Sequence, residues 1–271
     1  MLGSKQIHPN RVDDREKIGD NLDFSAREAY NVLRSSLEFV CLPGQNKEGR
    51  VIGVTSPSPK EGKSITSINL CYSIAKKGHR VLLIDGDLRR PVISKILDIP
   101  QKPGLSNYLV DGQTQIIGQD ILIEGLDVIT SGETPPNPAE LISSEAMKNT
   151  LDFLRKKDYD YIVIDLPPIN SVSDAFAISG YLDGIIMVVR HGYTRKTDVQ
   201  DACRQLEFAN AKVLGFVYNG YMEGSHYYYR KGGYYKYYRR KKYGYYNKYD
   251  SYYYGYGYES QAETQSDEEN K

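Results

Sequence analysis

The sequence predicts an α/β fold, with a doubly wound, mostly parallel sheet. Short apolar segments such as 81–84 (VLLI) and 161–164 (YIVI) are typical of strands that are buried on both faces. Segments with helical spacing of apolar residues lie between these runs, and strands that alternate with helices pair in parallel. The 271 residues are 40% hydrophobic and 26% charged, as in an ordinary globular protein.

The predicted elements follow one another in a regular order. Strands are expected at 51–55, 81–84, 126–129, 161–165, 185–189 and 213–218. Helices are expected at 25–40, after residue 62, near residue 94, after residue 104, from residue 139 to about 154, and at 194–208. Ser25, with Glu28 three residues later, has the pattern of a capping box at the start of the first helix.

The two ends of the chain differ in composition from this middle part. Residues 1–24 are polar without a clear period, and we expect a flexible lead-in. Residues 25–220 form the predicted domain, and residues 221–271 almost lack aliphatic side chains, which predicts a disordered tail. We find neither a signal peptide nor an apolar run of the roughly 18 residues that span a membrane. Three widely spaced cysteines indicate reduced thiols and a cytoplasmic protein.

The first candidate site is the loop that joins the first predicted strand to its helix, in the stretch 51–64 (VIGVTSPSPKEGKS). Backbone N–H groups of such a loop and the positive end of the following helix form an anion site. Lys63 is placed to reach the outer phosphates of a nucleoside triphosphate, and Ser64 to bind Mg²⁺. Pro57 stands where the usual pattern has glycine. The predicted ATP-binding residues are Pro59, Lys60, Glu61, Gly62, Lys63, Ser64 and Ile65.

Carboxylates follow two of the buried strands, where an open α/β sheet keeps its ligand crevice. Asp85 and Asp87 come after the second strand, and Asp165 ends a later one. We expect Ser64, Asp165 and Asp87 near the Mg²⁺, with Asp165 acting through water. Asp85 is the first choice to accept the proton of an acceptor hydroxyl, and Asp87 is the alternative. With Lys63, these two residues are the catalytic candidates.

The composition of the tail helps to distinguish water from tyrosine as the acceptor of the phosphoryl group. Between residues 221 and 258 there are seventeen tyrosines and eight basic residues against Glu223 and Asp250, a net charge of about +6. Each phosphotyrosine adds about −1.5 to −2, so three or four phosphates would reverse the sign. A nucleic-acid or polysaccharide tail is the less favoured alternative. The candidate phosphorylation sites are Tyr227, Tyr228, Tyr229, Tyr234, Tyr235, Tyr237, Tyr238, Tyr243, Tyr245, Tyr246, Tyr249, Tyr252, Tyr253, Tyr254, Tyr256 and Tyr258.

The segments SPSPKEGKS, VLLIDGDLRRP and YIVIDLPP, in this order before a tyrosine cluster, resemble the Walker A, A′ and B motifs of the bacterial tyrosine kinases of capsule and exopolysaccharide synthesis. The segment SGETPPNPAELI is also similar to that family. The resemblance implies a P-loop kinase domain with Lys63 and Ser64 on Mg-ATP, Asp165 on the metal, and Asp85 and Asp87 catalytic. It also implies tail tyrosines that are autophosphorylated in trans, in control of polysaccharide synthesis and export.

The resemblance further implies partners. A transmembrane activator would recruit the protein to the inner face of the membrane, and a phosphotyrosine phosphatase would reverse its reaction. Glu28 and Arg34 match the family's ExxRxxR pattern for ring-like self-assembly, but Asn31 replaces the middle arginine. Ser58 stands where related positioning ATPases carry a signature lysine. The alternatives are a ParA/MinD-like ATPase switch and a tyrosine-rich binding module that uses ATP only structurally.

Overall fold

The computed structural model describes residues 14–40, 48–112, 115–172 and 177–221. These residues form one seven-stranded sheet with helices against it. The strands are β1 (Arg50–Thr55), β2 (Val81–Asp85), β3 (Ile117–Gly118), β4 (Leu126–Ile129), β5 (Tyr161–Asp165), β6 (Gly184–Arg190) and β7 (Val213–Asn219). The helices are α1 (Phe24–Val40), α2 (Lys63–Lys76), α3 (Ile93–Leu97), α4 (Leu105–Asp111), α5 (Pro138–Ile142), α6 (Glu145–Arg155) and α7 (Lys196–Phe208).

The strand order is β3-β4-β2-β5-β1-β6-β7. All neighbouring strands are parallel except β3 and β4, which pair antiparallel. The predicted fold class, a doubly wound and mostly parallel sheet, is therefore confirmed. The short edge strand β3 was not among the predicted elements.

The central strands read as continuous apolar runs because both of their faces are covered. Along β5, Ile162 and Ile164 pack into one hydrophobic cluster, and Val163 between them packs into a second cluster on the other face. Neighbouring strand β2 repeats this division, with Leu82 on the first side and Leu83 on the second. Successive side chains of a strand point to opposite faces, so a two-sided core requires an apolar residue at every position.

The register of the central strands positions the functional site. Asp85 at the end of β2 lies directly beside Asp165 at the end of β5. On the other side of β5, Val54 of β1 is paired with Asp165. The carboxyl ends of three adjacent strands therefore bring two carboxylates and the loop after β1 to one edge of the sheet.

Ordered structure begins before the predicted boundary at residue 25. Two 3₁₀ turns, Asp14–Lys17 and Gly19–Asn21, precede α1. The backbone N–H of Gly19 donates to Asn69 Oδ1 of α2 at 2.9 Å, and Ile18 is 5% exposed. The described part of the predicted flexible lead-in is thus packed against the domain.

Two local predictions were wrong. The cap of α1 is Asp23, whose Oδ1 accepts a hydrogen bond from Ala26 N at 2.8 Å, and Ser25 lies inside the helix. The single helix expected from residue 139 is two helices, α5 and α6. Ser144 separates them because its hydroxyl accepts from Met147 N at 3.2 Å, which caps the second helix.

The chain divides after Tyr221 into two units, and the second, Met222–Lys271, lies outside the described residues. All sixteen candidate phosphorylation sites fall in that second unit. No helix in the described part of the chain has the length and apolar character needed to cross a membrane.

Candidate active site

The loop between β1 and α2 ends at Gly62, whose backbone conformation and surroundings favour glycine over any residue with a side chain. Gly62 has φ +93° and caps the start of α2, a left-handed conformation that other residues rarely adopt. A Cβ atom on Gly62 would lie 2.1 Å from Asn219 Nδ2. This turn places Lys63 and Ser64 in the first turn of α2, facing the carboxyl edge of the sheet.

The far side of this loop is held by the ends of β6 and β7. Arg190 Nη1 donates to the Lys60 carbonyl at 2.9 Å, and Asn219 Nδ2 donates to the Glu61 carbonyl at 2.8 Å. The Thr194 hydroxyl donates to Glu61 Oε1 at 2.6 Å. Burial raises the pKa of the Glu61 carboxyl, although the bond from Thr194 opposes that shift. Glu61 therefore fixes the loop from behind.

Lys63 lies at the centre of the candidate site. Its Nζ is 3.1 Å from Asp87 Oδ2 and 3.2 Å from Asp165 Oδ2. The Ser64 hydroxyl donates to the same Asp165 Oδ2 at 2.6 Å. Burial alone would lower the pKa of Lys63, but the charges of Asp165 and Asp87 outweigh it and raise that pKa above its ordinary value. The structure thus brings together four of the predicted residues, with Lys63 as a cation.

Asp165 has a further partner that the sequence analysis missed. The Ser67 hydroxyl lies 3.2 Å from Asp165 Oδ1 and 3.0 Å from the Lys63 carbonyl, two acceptors that share its single proton. Ser67 is four residues after Lys63 and so lies one helical turn further along the same face of α2, which is the signal that could have identified it. Burial raises the pKa of Asp165, and the nearby Lys63 charge opposes the shift.

Asp85 is buried beside this cluster, and only one of its two carboxyl oxygens accepts a hydrogen bond from the described residues. Its Oδ2 accepts from Ile93 N at 3.2 Å, and its Oδ1 has no hydrogen-bond partner among the described residues. Burial and the adjacent Asp165 charge raise the pKa of Asp85 to about 8. A buried carboxyl with an open oxygen is suited to exchange a proton with a bound group.

The donor set fits magnesium bound together with a nucleotide. No group of three or more His, Cys, Asp or Glu side chains in the described residues is arranged to hold a metal ion by itself. Mg²⁺ usually takes one or two protein ligands and completes its shell with phosphate oxygens and water. The Ser64 hydroxyl and the Asp165 carboxylate, in contact with each other, provide such a partial set.

A pocket of about 1260 Å³ opens over these residues. Six of the seven predicted ATP-binding residues line it: Pro59, Lys60, Gly62, Lys63, Ser64 and Ile65. Glu61 does not line the pocket, because its side chain is buried behind the loop. Asp87, Pro167 and Pro168 also line the pocket.

The residues predicted for self-assembly lie on α1, away from this pocket. Arg34 Nη1 donates to the Ser73 carbonyl and hydroxyl of α2, each at 3.0 Å, and to Asn31 Oδ1 at 3.2 Å. Asn31 Nδ2 in turn donates to Glu28 Oε1 at 2.9 Å. The Arg34 guanidinium therefore joins α1 to α2 within the same chain.

Comparison with known proteins identifies the family. The ParA model, described as NUBPL iron-transfer P-loop NTPase, matches residues 48–241. The putative tyrosine-protein kinase CapB of Staphylococcus aureus is 36% identical over 227 residues, which cover 82% of this chain and 95% of CapB. The tyrosine-protein kinase YwqD of Bacillus subtilis is 37% identical over 209 residues, covering 77% and 85%.

A solved structure agrees with these relatives. The kinase domain of the Escherichia coli tyrosine kinase ETK is similar with a TM-score of 0.71 at 29% identity, covering 86% of this chain and 88% of that domain. The chain belongs to the ParA family of P-loop NTPases and, within it, to the bacterial tyrosine-protein kinase family that includes CapB and YwqD.

Proposed function

We propose that this protein transfers the terminal phosphoryl group of ATP to tyrosine hydroxyls of its own C-terminal segment, in trans, to give ADP and phosphotyrosine. The observation that carries the proposal is the contact cluster of Lys63, Ser64, Asp87 and Asp165, with the half-satisfied Asp85 beside it. The same chain supplies sixteen tyrosines beyond residue 226 as acceptors.

The residues proposed to bind the phosphates contact one another in the structure. Bound Mg-ATP would supply the phosphoryl group and a cation that offsets the charge of its transition state. Lys63 would turn from its two carboxylates toward the phosphates, where its positive charge would stabilise the charge that develops in phosphoryl transfer. Ser64 and Asp165 would hold the metal, and Asp87 is a further candidate for its shell.

Asp85 is our candidate for the proton acceptor. Its pKa of about 8 is close to the working pH of a cell, where a general base is most effective. Positive charge brought to the cluster favours the ionised form of the carboxyl, and its open Oδ1 can then accept the hydroxyl proton. Asp87, which already contacts Lys63, is the alternative base.

The biological setting is also part of the proposal. By resemblance to the capsule and exopolysaccharide kinases, the protein would regulate polysaccharide synthesis and export. It would be cytoplasmic, recruited to the membrane by a transmembrane activator, and dephosphorylated by a phosphotyrosine phosphatase. Self-assembly through Glu28 and Arg34 is also part of the proposal, and Arg34 would contact a second copy in addition to, or in place of, the bonds from its Nη1 to Ser73.

Membership of the ParA family leaves an ATPase switch as the second candidate. The two are separated by measuring ADP and phosphotyrosine formed from Mg-ATP in the same reaction, with and without the cytoplasmic part of the membrane partner. The kinase predicts about one phosphotyrosine per ADP until the tail is filled. ADP that accumulates steadily with no phosphotyrosine would reject the kinase and support the ATPase. A chain ending at Tyr221 is the matched control, because it keeps the site and lacks the proposed acceptors.

A further inference from the structure

The outer wall of the active-site pocket is basic. Beyond the phosphate loop the pocket is lined by Lys17, Arg89, Arg90 and Lys95. Among the described residues that line the pocket, Asp87 is the only carboxylate. This wall, which we call the basic wall, is a second concentration of positive charge in addition to Lys63.

The basic wall adjoins the carboxylates that an acceptor must reach. The backbone N–H of Arg90 donates to Asp87 Oδ1 at 3.0 Å, and Asp87 is the carboxylate that contacts Lys63. Lys95 lies on α3, whose first residue, Ile93, donates its N–H to Asp85 Oδ2. In the sheet, β2 lies on one side of β1, and β6 and β7 lie on the other side. The ends of β6 and β7 bind the carbonyl groups of the phosphate loop. The wall therefore borders the acceptor side of the site.

Two members of the wall are available to a ligand. Arg90 and Lys95 are exposed, and neither side chain forms a salt bridge with any residue in the described part of the chain. A guanidinium and an ammonium on one concave surface bind phosphate or carboxylate groups through charge-assisted hydrogen bonds. Since Lys63 and the loop amides already serve the nucleotide, the wall has capacity for a different anion.

The spacing of the tail tyrosines suggests which anion. Tyr254, Tyr256 and Tyr258 alternate with Gly255 and Gly257. In an extended segment, residues two apart lie on one face, about 6.6 Å from each other. With a phosphotyrosine on the wall, we expect a tyrosine two residues away to lie near Asp87, the carboxylate that lines the pocket.

Resting on the proposed function, we propose that Arg90 and Lys95 bind a phosphotyrosine already present on the acceptor segment, so that each transfer primes the next. The unmodified segment from residue 221 to residue 258 carries a net charge of about +6 and is repelled by the basic wall. Each phosphate adds negative charge and makes the segment complementary to the wall. Phosphorylation of the tail thus begins slowly and accelerates.

The test is a binding measurement that needs no catalysis. Labelled peptides of residues 251–259 (SYYYGYGYE), unmodified or phosphorylated at Tyr256, are titrated with the full-length protein and followed by fluorescence anisotropy. Mg-AMPPNP is present to fill the phosphate loop. We expect the phosphopeptide to bind at least about tenfold more tightly than the unmodified peptide. Arg90→Ala and Lys95→Ala should each reduce that difference about threefold, as expected when one of two charge-assisted contacts is lost, and the double variant should abolish it. Lys156→Ala, at an exposed lysine after α6, is the matched control and should change nothing.

Several results would overturn this inference. They are equal affinity for the two peptides, unchanged affinity in both wall variants, or phosphopeptide binding that is seen without AMPPNP and lost when AMPPNP is added. The last result would show that the phosphopeptide binds in the phosphate loop and not on the wall. Equally tight binding of the acidic peptide 259–271 would show that the wall senses negative charge in general and would also reject the proposal. These outcomes are separate from the proposed function, which is tested by whether phosphotyrosine forms from Mg-ATP.

Discussion

Replacement of Asp85 by asparagine should change how the stability of the nucleotide-free protein depends on pH. In the folded protein the pKa of Asp85 is raised from 3.8 to about 8, mainly by burial and then by the Asp165 charge. Between these values the carboxyl is protonated in the folded chain and ionised in the unfolded chain. Unfolding then releases a proton, so the stability contributed by this group is full below the unfolded pKa and is lost as the pH rises toward 8.

The magnitude follows from the width of that interval. One pKa unit corresponds to about 1.36 kcal/mol, so between pH 5 and pH 8 Asp85 should cost the wild-type protein on the order of 4 kcal/mol. Asparagine is neutral throughout and can still accept the bond from Ile93 N. The variant should therefore lack this part of the decline in the free energy of unfolding.

The assay is urea unfolding at pH 5 and pH 8 without nucleotide, read by circular dichroism. Glu61, whose pKa is also raised, remains in both proteins, so its contribution cancels in the difference between wild type and Asp85→Asn. That difference reports the titration of Asp85 together with its coupling to the adjacent Asp165. Asp152→Asn, at an exposed position of α6, serves as the control and should behave as wild type. If wild type and Asp85→Asn lose the same stability between the two pH values, the account of a buried, protonated Asp85 is wrong.

Three further predictions concern α2 and its neighbours. Ser67→Ala removes a hydrogen bond to Asp165 and should weaken Mg-nucleotide binding about tenfold by calorimetry; unchanged affinity would mean that Ser67 does not position Asp165. Gly62→Ala places a Cβ 2.1 Å from Asn219 Nδ2 at φ +93° and should cost about 1–3 kcal/mol in urea unfolding, whereas wild-type stability would show that the turn relaxes freely. Arg34→Ala loses the bonds to Ser73 and should cost about 1–3 kcal/mol, against no effect for Arg204→Ala on the surface of α7.

The carboxylates at the ends of β2 and β5 could be predicted because each directly follows an apolar run in the sequence. Strands buried on both faces read as apolar runs, and the residue that follows each run lies at the carboxyl edge of a parallel sheet. The sequence predicts Asp85 and Asp165 at this edge, and the register shows in addition that they are adjacent. The phosphate loop was visible for the same reason, as a glycine between a strand pattern and a helix pattern.

Contacts between segments that are far apart in the sequence could not be predicted from the local spacing of apolar and polar residues. Nothing near residue 61 indicates that its carboxylate and carbonyl are held by Thr194 and Asn219, which are more than a hundred residues later. The packing of Gly19 on Asn69 likewise depends on two segments that share no local signal.

Helix α1 shows a further limit of periodicity. Its apolar residues have helical spacing, but Val32 is 64% exposed and Phe39 is 78% exposed, while Leu37 is 4% exposed. The polar Arg34 faces inward because Ser73 offers it two acceptors. The pattern predicted a helix correctly and did not determine which side it would bury.

The most direct test of the kinase assignment is mass spectrometry of the protein after incubation with Mg-ATP and the cytoplasmic part of the proposed membrane partner, for wild type beside Lys63→Met. Lys63 is the buried cation held between Asp87 and Asp165, so the variant loses the charge on which the proposed phosphoryl transfer would depend. We expect phosphotyrosine on Tyr227 to Tyr258 in the wild type and unmodified tyrosines in the variant, with both proteins folded. Unmodified tyrosines in the wild type, or equal modification in the variant, would contradict the account.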